Sequence, residues 1–139
     1  MGNKVKIALS VLFLAGIITF IAGCRTEPIG NVINYPIVQL NSHITLSQVK
    51  EAVLSAGKDL GWKMKEENKN LIMATLDLRG HQAVVKINYG PKYYSIMYVS
   101  SKNLMYDNYN INKFYNLWIR NLQNKINEKL EGATETPQK

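Results

Sequence analysis

Only a few residues of the 139-residue chain belong to the types that catalyse reactions or bind metals. Its two histidines, His43 and His81, lie far apart in the sequence, and its single cysteine is Cys24. A structural zinc site needs several thiolate and imidazole ligands close together, and an internal disulfide needs two thiols. We therefore expect no metal site and no disulfide framework.

The sequence patterns that are typical of enzymes do not occur in this chain. It contains no G-x-S-x-G nucleophile elbow and no glycine-rich phosphate-binding loop. Glu66 and Glu67 are adjacent, so in a strand they point to opposite faces, which is a poor arrangement for acid–base catalysis by paired carboxylates. The sequence therefore predicts a protein that is not an enzyme.

Cys24 is the residue whose neighbours indicate a specific chemistry. Lys4 and Lys6 give the chain a positive start, and residues 7–23 carry no charge. A positive start followed by an apolar run and small residues is typical of a secretory signal peptide. We therefore predict that residues 1–23 are a signal peptide that is removed.

The end of this segment, Ile21-Ala22-Gly23-Cys24, resembles the lipobox of bacterial lipoproteins. In that family the signal peptide is cut just before the cysteine, which corresponds here to cleavage between Gly23 and Cys24. The resemblance implies a diacylglycerol on the Cys24 thiol and an acyl chain on its new amino group, with no other cofactor. Two or more acyl chains hold a protein stably at a membrane.

Two alternatives to the lipoprotein are an uncleaved transmembrane anchor and a secreted protein with a chance cysteine. A transmembrane helix needs about 20 apolar residues, and the apolar run here ends at Cys24-Arg25. In Gram-negative lipoproteins an aspartate after the cysteine retains the protein in the inner membrane. Because this position is Arg25, the resemblance implies the periplasmic face of the outer membrane.

The charge balance gives a weaker indication of partners. Lysine and arginine number 17, and aspartate and glutamate number 10, for a formal net charge of +7. Loss of the signal peptide removes Lys4 and Lys6 and lowers this charge to +5. The remaining basic residues are scattered, and export separates the protein from nucleic acid, which we do not expect as a partner. Weak attraction to an anionic envelope polymer and an ordinary solvated surface both fit this charge.

The segment after the cysteine interrupts regular structure. Residues 24–43 contain Pro28, Gly30 and Pro36, and such residues are typical of loops and linkers. We predict that this segment is the lipidated cysteine followed by a tether. A short edge strand over 35–40 is the alternative, since proline is tolerated at sheet edges.

A folded domain is predicted over residues 44–131, beginning with a helix from Thr45 to Leu60. Apolar residues recur there every three or four positions, and Thr45 with Gln48 fits a capping box. Gly61 stands where a left-handed residue ends a helix. Gly57 is discordant inside a helix, and it would permit close packing against a strand.

A second, longer helix is predicted from about Ile111 to Leu130, with an apolar stripe that Phe114 widens. Asn110 is a candidate N-cap for this helix. Gly132 is the candidate end, and residues 132–139 are predicted to be a disordered tail.

Four strands are predicted between the helices, with turns at 68–70, 79–80 and 90–92. Their connections are too short for parallel crossovers, so the strands form an antiparallel meander. The strands are 62–65, 71–78, 81–89 and 93–100. Their predicted core-facing residues are Ile72, Ala74, Leu76, Leu78, Ala83, Val85, Ile87, Tyr89, Tyr94, Ile96 and Tyr98. The fold class is therefore α+β, a two-layer sandwich of helix, about four-stranded antiparallel meander and long C-terminal helix.

Four short motifs lie in this folded part: Gly61-Trp62, Tyr94-Ser95-Ile96-Met97-Tyr98, Ser101-x-Asn103-Leu104-x-Tyr106 and Tyr115-Asn116-x-Trp118-Ile119-x-Asn121-Leu122. Together they resemble a group of small bacterial lipoproteins, mainly proteobacterial, that share the signal peptide and lipobox. The resemblance covers about Pro36 to Leu130 and implies an envelope location and this fold, without an activity. A histidine is common in that group where this chain has Asn112, so we expect no histidine chemistry there.

The face of the meander opposite the predicted core is not cleanly polar, as a solvated face would be. Its apolar residues and one loop tyrosine form a candidate contact surface. The residues are Met73, Val84, Tyr93, Met97, Val99 and Tyr106. Two alternatives are a register that is off by one residue, which would exchange the two faces, and coverage of this face by residues 25–43.

We expect from these observations a membrane-anchored envelope lipoprotein that acts as a non-catalytic binding or scaffold module. Its partner would be an envelope protein or an anionic envelope polymer, and its lipid would attach it to the membrane. A carrier of a small ligand or lipid is the alternative, followed by an envelope hydrolase.

Overall fold

The structure is a computed structural model, and it describes residues 25–38 and 43–135. The predicted signal peptide and Cys24 lie outside these residues, as do residues 136–139. The elements in chain order are β1 (Thr26–Pro28), β2 (Val32–Pro36), α1 (Leu46–Asp59), β3 (Lys63–Asn68), β4 (Leu71–Leu78), β5 (His81–Tyr89), β6 (Tyr93–Lys102), β7 (Asn110–Asn112) and α2 (Lys113–Glu135).

Five strands form an antiparallel sheet in the order β2-β6-β5-β4-β3, and β1 pairs with β7 in a separate two-stranded ribbon. Burial alternates along β4 and β5, so one face of the sheet packs in the core with both helices. The predicted α+β class is confirmed, with a meander of β3 to β6 between two helices.

The first helix begins where its capping box predicts. The Thr45 hydroxyl accepts a hydrogen bond from the Gln48 N–H at 3.2 Å, and the Gln48 side chain accepts one from the Thr45 N–H at 2.9 Å. At the other end, Gly61 adopts a φ of 81°, a conformation that costs glycine little. The prediction of a helix from Thr45 to a stop at Gly61 is confirmed.

Gly57 lies where α1 meets β3. A Cβ on Gly57 would overlap the Met64 side chain, with Met64 Cε at 2.5 Å and Met64 Cγ at 2.9 Å. The Gly57 carbonyl also accepts hydrogen bonds from the Leu60 and Trp62 N–H groups. The missing Cβ therefore lets the Met64 side chain of β3 pack directly on the helix, as the sequence indicated.

The hairpin between β4 and β5 turns on Arg79 and Gly80, which have φ values of 50° and 80°. Two positive φ values match the twist that two-residue hairpins favour. Leu78, at the end of β4, lies on the same face as Ile72 and Leu76 but is 44% exposed, so its predicted burial is wrong. It pairs with His81 in the last register position before the turn, beyond the buried part of the strand.

A register shift between Val84 and Val85 interrupts the pairing of β5 with β6. Val85 pairs with Tyr98 and Val84 with Ser100, which leaves Val99 as the extra residue of a β-bulge. Tyr94 and Ile96 in β6 are buried as predicted, but Ser95 between them is buried too, so burial does not alternate strictly in this strand. The strand itself continues to Lys102.

The predicted tether differs most from the structure. Residues 26–28 pair with β7, and β2 adds a fifth strand at the edge of the sheet beside β6. Ile37 is buried in the core and its N–H donates to the Lys92 carbonyl at 2.8 Å. The segment 25–38 is thus part of the folded domain. Residues 39–42 lie outside the described residues.

The second helix starts later than predicted and runs further. Ile111 is fully buried in β7, and the helix begins at Lys113. Asn112 rather than Asn110 has the capping role, because its side-chain oxygen accepts from the Phe114 N–H at 3.0 Å. The helix continues past Gly132 to Glu135, so the predicted tail is wrong for its first residues.

We predict that Gly57→Ala lowers the free energy of unfolding by about 1–3 kcal/mol, because the added methyl group overlaps Met64. In an ordinary helix interior the same change raises stability by about 1 kcal/mol. Chemical denaturation monitored by circular dichroism would measure the difference.

Gly132→Ala is the matched control, since a Cβ on Gly132 would meet no atom within 4 Å. It should leave stability unchanged or raise it. A second test is to shorten the opposing side chain with Met64→Ala, in which background Gly57→Ala should lose its cost. Equal effects of Gly57→Ala in both backgrounds would contradict the overlap.

Candidate functional site

The centre of the candidate contact surface is a row of three side chains across adjacent strands. Met73 on β4 pairs with Lys86 on β5, and Lys86 pairs with Met97 on β6. Each is half-buried. Met73 and Lys86 each lie between two fully buried core residues. Met97 lies between the fully buried Ile96 and the partly buried Tyr98. The row therefore lies on the open face of the sheet, which is the face opposite the helices. A lysine held between two methionines offers one charge in an apolar setting.

Val84 lies on the same face in a neighbouring row, paired with Thr75 and Ser100. Tyr93 is 53% exposed and lies at the beginning of β6, where it pairs with Pro36. Val99 is 44% exposed in the bulge. The structure thus brings Met73, Val84 and Met97 together and places Tyr93 at the end of the same face.

Tyr106 lies apart from this row. Its ring packs on Tyr98, with 4.3 Å between the ring centroids, and Tyr98 contacts the edge of Tyr115 at 5.7 Å. Tyr98 packs against the buried core, and Tyr115 is fully buried. Tyr106 therefore folds the loop after β6 down onto the domain.

The aromatic cluster of Tyr98, Tyr106 and Tyr115 contains one buried hydroxyl group, that of Tyr115. The Tyr115 hydroxyl has no hydrogen-bond partner among the described residues, and burial raises its pKa. By contrast, the buried Tyr94 hydroxyl donates to the Asn127 side chain at 2.7 Å. Tyr115 is thus held by packing, with its hydroxyl kept neutral.

Charged residues surround the methionine row on the open face. Lys63 lies 3.3 Å from Asp77, and Lys65 lies 2.7 Å from Glu67. A hydrogen bond from Gln82 and the contact with Lys63 hold the pKa of Asp77 below its usual value. Lys86 forms no ion pair with any described residue. The centre of the face therefore presents an uncompensated positive charge.

The two histidines lie in different parts of the domain, since His43 precedes α1 and His81 begins β5. His81 Nδ1 lies 2.7 Å from the Asn103 carbonyl oxygen, and the Asn103 side chain in turn donates to the Gly80 carbonyl at 2.6 Å. His43 is exposed. Within residues 25–38 and 43–135, no three His, Cys, Asp or Glu side chains are grouped so that they could hold a metal.

Several open grooves lie at the periphery of the domain. One of about 340 Å³ runs between the start of α1 and the end of β3 and contains the Lys50–Glu66 ion pair. Another of about 380 Å³ lies between the β1–β2 segment and α2. Between the sheet and the helices, by contrast, fully buried side chains such as Ile72, Ile87 and Ile126 pack against one another.

Asn116 on α2 fastens the N-terminal segment to the domain. Its side-chain oxygen accepts from the Gly30 N–H at 2.7 Å, and its amide group donates to the Pro28 carbonyl at 2.8 Å and to Glu27 at 3.0 Å. A Cβ on Gly30 would lie 3.0 Å from the same oxygen, so the loop approaches closely because it carries glycine. Nothing local in the sequence marks this contact, because its partners are almost 90 positions away.

No described helix is long and apolar enough to cross a membrane. No protein-family model matches the chain, and no curated protein shows significant similarity to it. The candidate site is therefore defined by two features of the domain, which are the open sheet face and the fastened N-terminal segment.

We predict that Asn116→Ala loosens the N-terminal segment and lowers the free energy of unfolding by about 1–2 kcal/mol. The change leaves the Gly30 N–H and the Pro28 carbonyl without their partner. Hydrogen exchange followed by mass spectrometry should show that residues 26–36 exchange faster in the variant than in the unmodified protein. Exchange in β4 and β5 should change less.

Asn121→Ala is the matched control, because Asn121 is an exposed asparagine on the same helix. It should change neither exchange nor stability by more than a few tenths of a kcal/mol. Uniform exchange changes across the sheet after Asn116→Ala would show that the residue supports the whole domain instead.

Proposed function

We propose that the protein is a lipid-anchored, non-catalytic binding module of the bacterial cell envelope. Acyl chains on Cys24 would hold it at the periplasmic face of the outer membrane, and the open sheet face would contact a protein partner. The observation that carries the binding role is the Met73–Lys86–Met97 row, which lies half-buried on the sheet face opposite the helices.

The chemistry of this row defines the partner. Methionine side chains are flexible and polarisable, so they adapt to apolar groups of different shape. Lys86 adds a cation without a partner in the described domain, and a carboxylate beside it would be favoured by charge complementarity. The matching surface is a protein patch with apolar side chains around an aspartate or glutamate.

A protein partner fits this face better than an anionic polymer. A polyanion would be recognised by a continuous basic stripe, whereas the lysines at the edge, Lys63 and Lys65, are already paired with carboxylates. Apolar area next to a single free charge is the composition of a specific protein contact. The packed interior likewise favours surface binding over a ligand carried between the layers.

The anchor rests on the lipobox, and the chemistry of Cys24 can be tested directly. We predict that Cys24→Ala abolishes labelling by a fatty-acid probe and leaves the unprocessed precursor, because the acceptor thiol is gone. Gel mobility and metabolic labelling in a Gram-negative host would measure both. Unchanged labelling would refute the anchor.

Arg25→Asp is the matched variant for localisation. It keeps the cysteine, so labelling should persist, while the protein should move to the inner-membrane fraction on sucrose-gradient separation. Retention of the Arg25→Asp variant in the outer membrane would show that this position does not direct sorting.

The sheet face can be tested with a photo-crosslinking amino acid in place of Met97 in intact cells. We predict one defined protein adduct whose yield falls strongly with Lys86→Glu, because the variant replaces the attracting charge with a repelling one. Immunoblotting would quantify the yield, and mass spectrometry of the adduct would locate acidic and apolar residues at the crosslink.

Two controls separate specific contact from random capture. Lys69→Glu makes the same charge change in the exposed β3–β4 turn and should leave the adduct intact. The crosslinker at exposed Ser47 on α1 should not give the same adduct. Equal adducts from Ser47 and Met97, or an adduct insensitive to Lys86→Glu, would contradict the proposed face.

A further inference from the structure

Exposed apolar side chains are concentrated in one stretch of the chain. Within the described residues, the loop before β7 and the first turns of α2 supply five of the large exposed apolar or aromatic residues. These are Met105, Tyr106, Tyr109, Phe114 and Leu117. Phe114 is 48% exposed, so its predicted role in widening the buried stripe of α2 is wrong. Tyr109 is 67% exposed.

This stretch lies beside the point where the chain enters the domain. The Arg25 carbonyl accepts a hydrogen bond at 3.0 Å from the N–H of Lys113, the first residue of α2. The Ile29 N–H donates to the Tyr109 carbonyl at 3.0 Å. Phe114 and Leu117 follow within about one helical turn of Lys113, three positions apart and therefore on one side of the helix.

The distance from the entry point to the predicted lipid site is set by covalent geometry. Cys24 is the residue before Arg25, and consecutive Cα atoms are about 3.8 Å apart. Since Arg25 is already hydrogen-bonded to α2, no free spacer separates Cys24 from the exposed apolar stretch. Acyl chains on Cys24 would place this end of the domain at the lipid surface.

We infer that the exposed residues Met105, Tyr109, Phe114 and Leu117, with Arg25 and Lys113, form a membrane-contact surface that docks the domain on the bilayer. This inference rests on the proposed lipidation of Cys24. The occupant of the surface is the lipid bilayer itself, with the aromatic and apolar groups at the depth of the headgroups.

The residue types suit this position. Tyrosine is favoured at the membrane interface because its ring is apolar and its hydroxyl is polar. Exposed phenylalanine and leucine on one helix face insert at the boundary of headgroups and acyl chains. Arg25 and Lys113 are exposed cations at the entry point, suited to anionic headgroups.

The acidic groups nearby are engaged within the domain. The Asp107 carboxylate accepts hydrogen bonds from the Asn110 and Tyr109 N–H groups, at 2.6 and 3.0 Å. The first of these bonds makes the largest contribution to holding the pKa of Asp107 below its usual value. Glu27 accepts from the Asn116 amide group. These donors are neutral, so both carboxylates keep their negative charge, and Arg25 and Lys113 balance it at this end.

Docking at this end fixes the orientation of the domain. The strand β6 has 10 residues and ends at Lys102, just before the exposed loop. At about 3.3 Å per residue, Tyr93 at its other end lies roughly 30 Å away. The Tyr93 end of the sheet, where exposed Ile33 also lies on β2, would point away from the membrane.

The test uses the full lipidated protein in vesicles of phosphatidylethanolamine and phosphatidylglycerol. Leu117→Cys, Phe114→Cys and Tyr93→Cys each carry an environment-sensitive fluorophore on the added thiol, since the Cys24 thiol is blocked by its lipid. We expect a blue shift and quenching by brominated acyl chains at Leu117→Cys and Phe114→Cys. Tyr93→Cys, an exposed position at the far end, should show neither.

Each other outcome overturns the inference in a distinguishable way. Equal responses at Leu117→Cys and Tyr93→Cys in an acylated protein would refute the contact surface and leave the proposed anchor in place. A blue shift without quenching by the brominated lipid would assign the surface to a second copy or another protein. A mass that shows no acyl chain would refute the proposed anchor, and the membrane contact with it.

Discussion

The strict alternation of side chains in β4 and β5 is the constraint on which the rest of the structure depends. Every second residue there, from Ile72 to Leu76 and from Ala83 to Tyr89, is buried against the helices. A slip of one residue would exchange the two faces and expose the core. Because the pairing is uninterrupted from Leu71 to Leu78, the open face with Met73 and Lys86 is fixed as firmly as the core itself.

The elements that the sequence predicted well are those with local causes. The capping box at Thr45 and the turn at Arg79-Gly80 act within a few residues, and alternation defines the central strands. The strands β1 and β7 were not predicted, and an edge strand near β2 was only an alternative over 35–40. These strands are short and pair with distant segments, as Glu27 does with Ile111. Asn116 has no pattern of its own, since its role depends on backbone groups that only the folded chain brings near.

The candidate site likewise contains residues whose place the sequence predicted and residues whose place it did not predict. Alternation alone placed Met73, Val84 and Met97 on one face, while the role of Lys86 between two methionines required the register across three strands. Tyr106 was assigned to this face from its position in the loop, and ring packing on Tyr98 draws it elsewhere. Where a loop side chain packs therefore depends on long-range contacts, which the periodicity of the sequence does not encode.

The two outer strands of the sheet have a further consequence. In β2, Pro36 lacks an N–H group, and Asn34 has a φ of 47° and donates its N–H to the Ser95 hydroxyl at 2.9 Å. In β3, the charged run from Lys63 to Glu67 occupies the opposite edge. Neither edge is a flat template for adding a strand from another chain. If the proposed lipid anchor concentrates the protein on a membrane, such edges would keep neighbouring copies from polymerising.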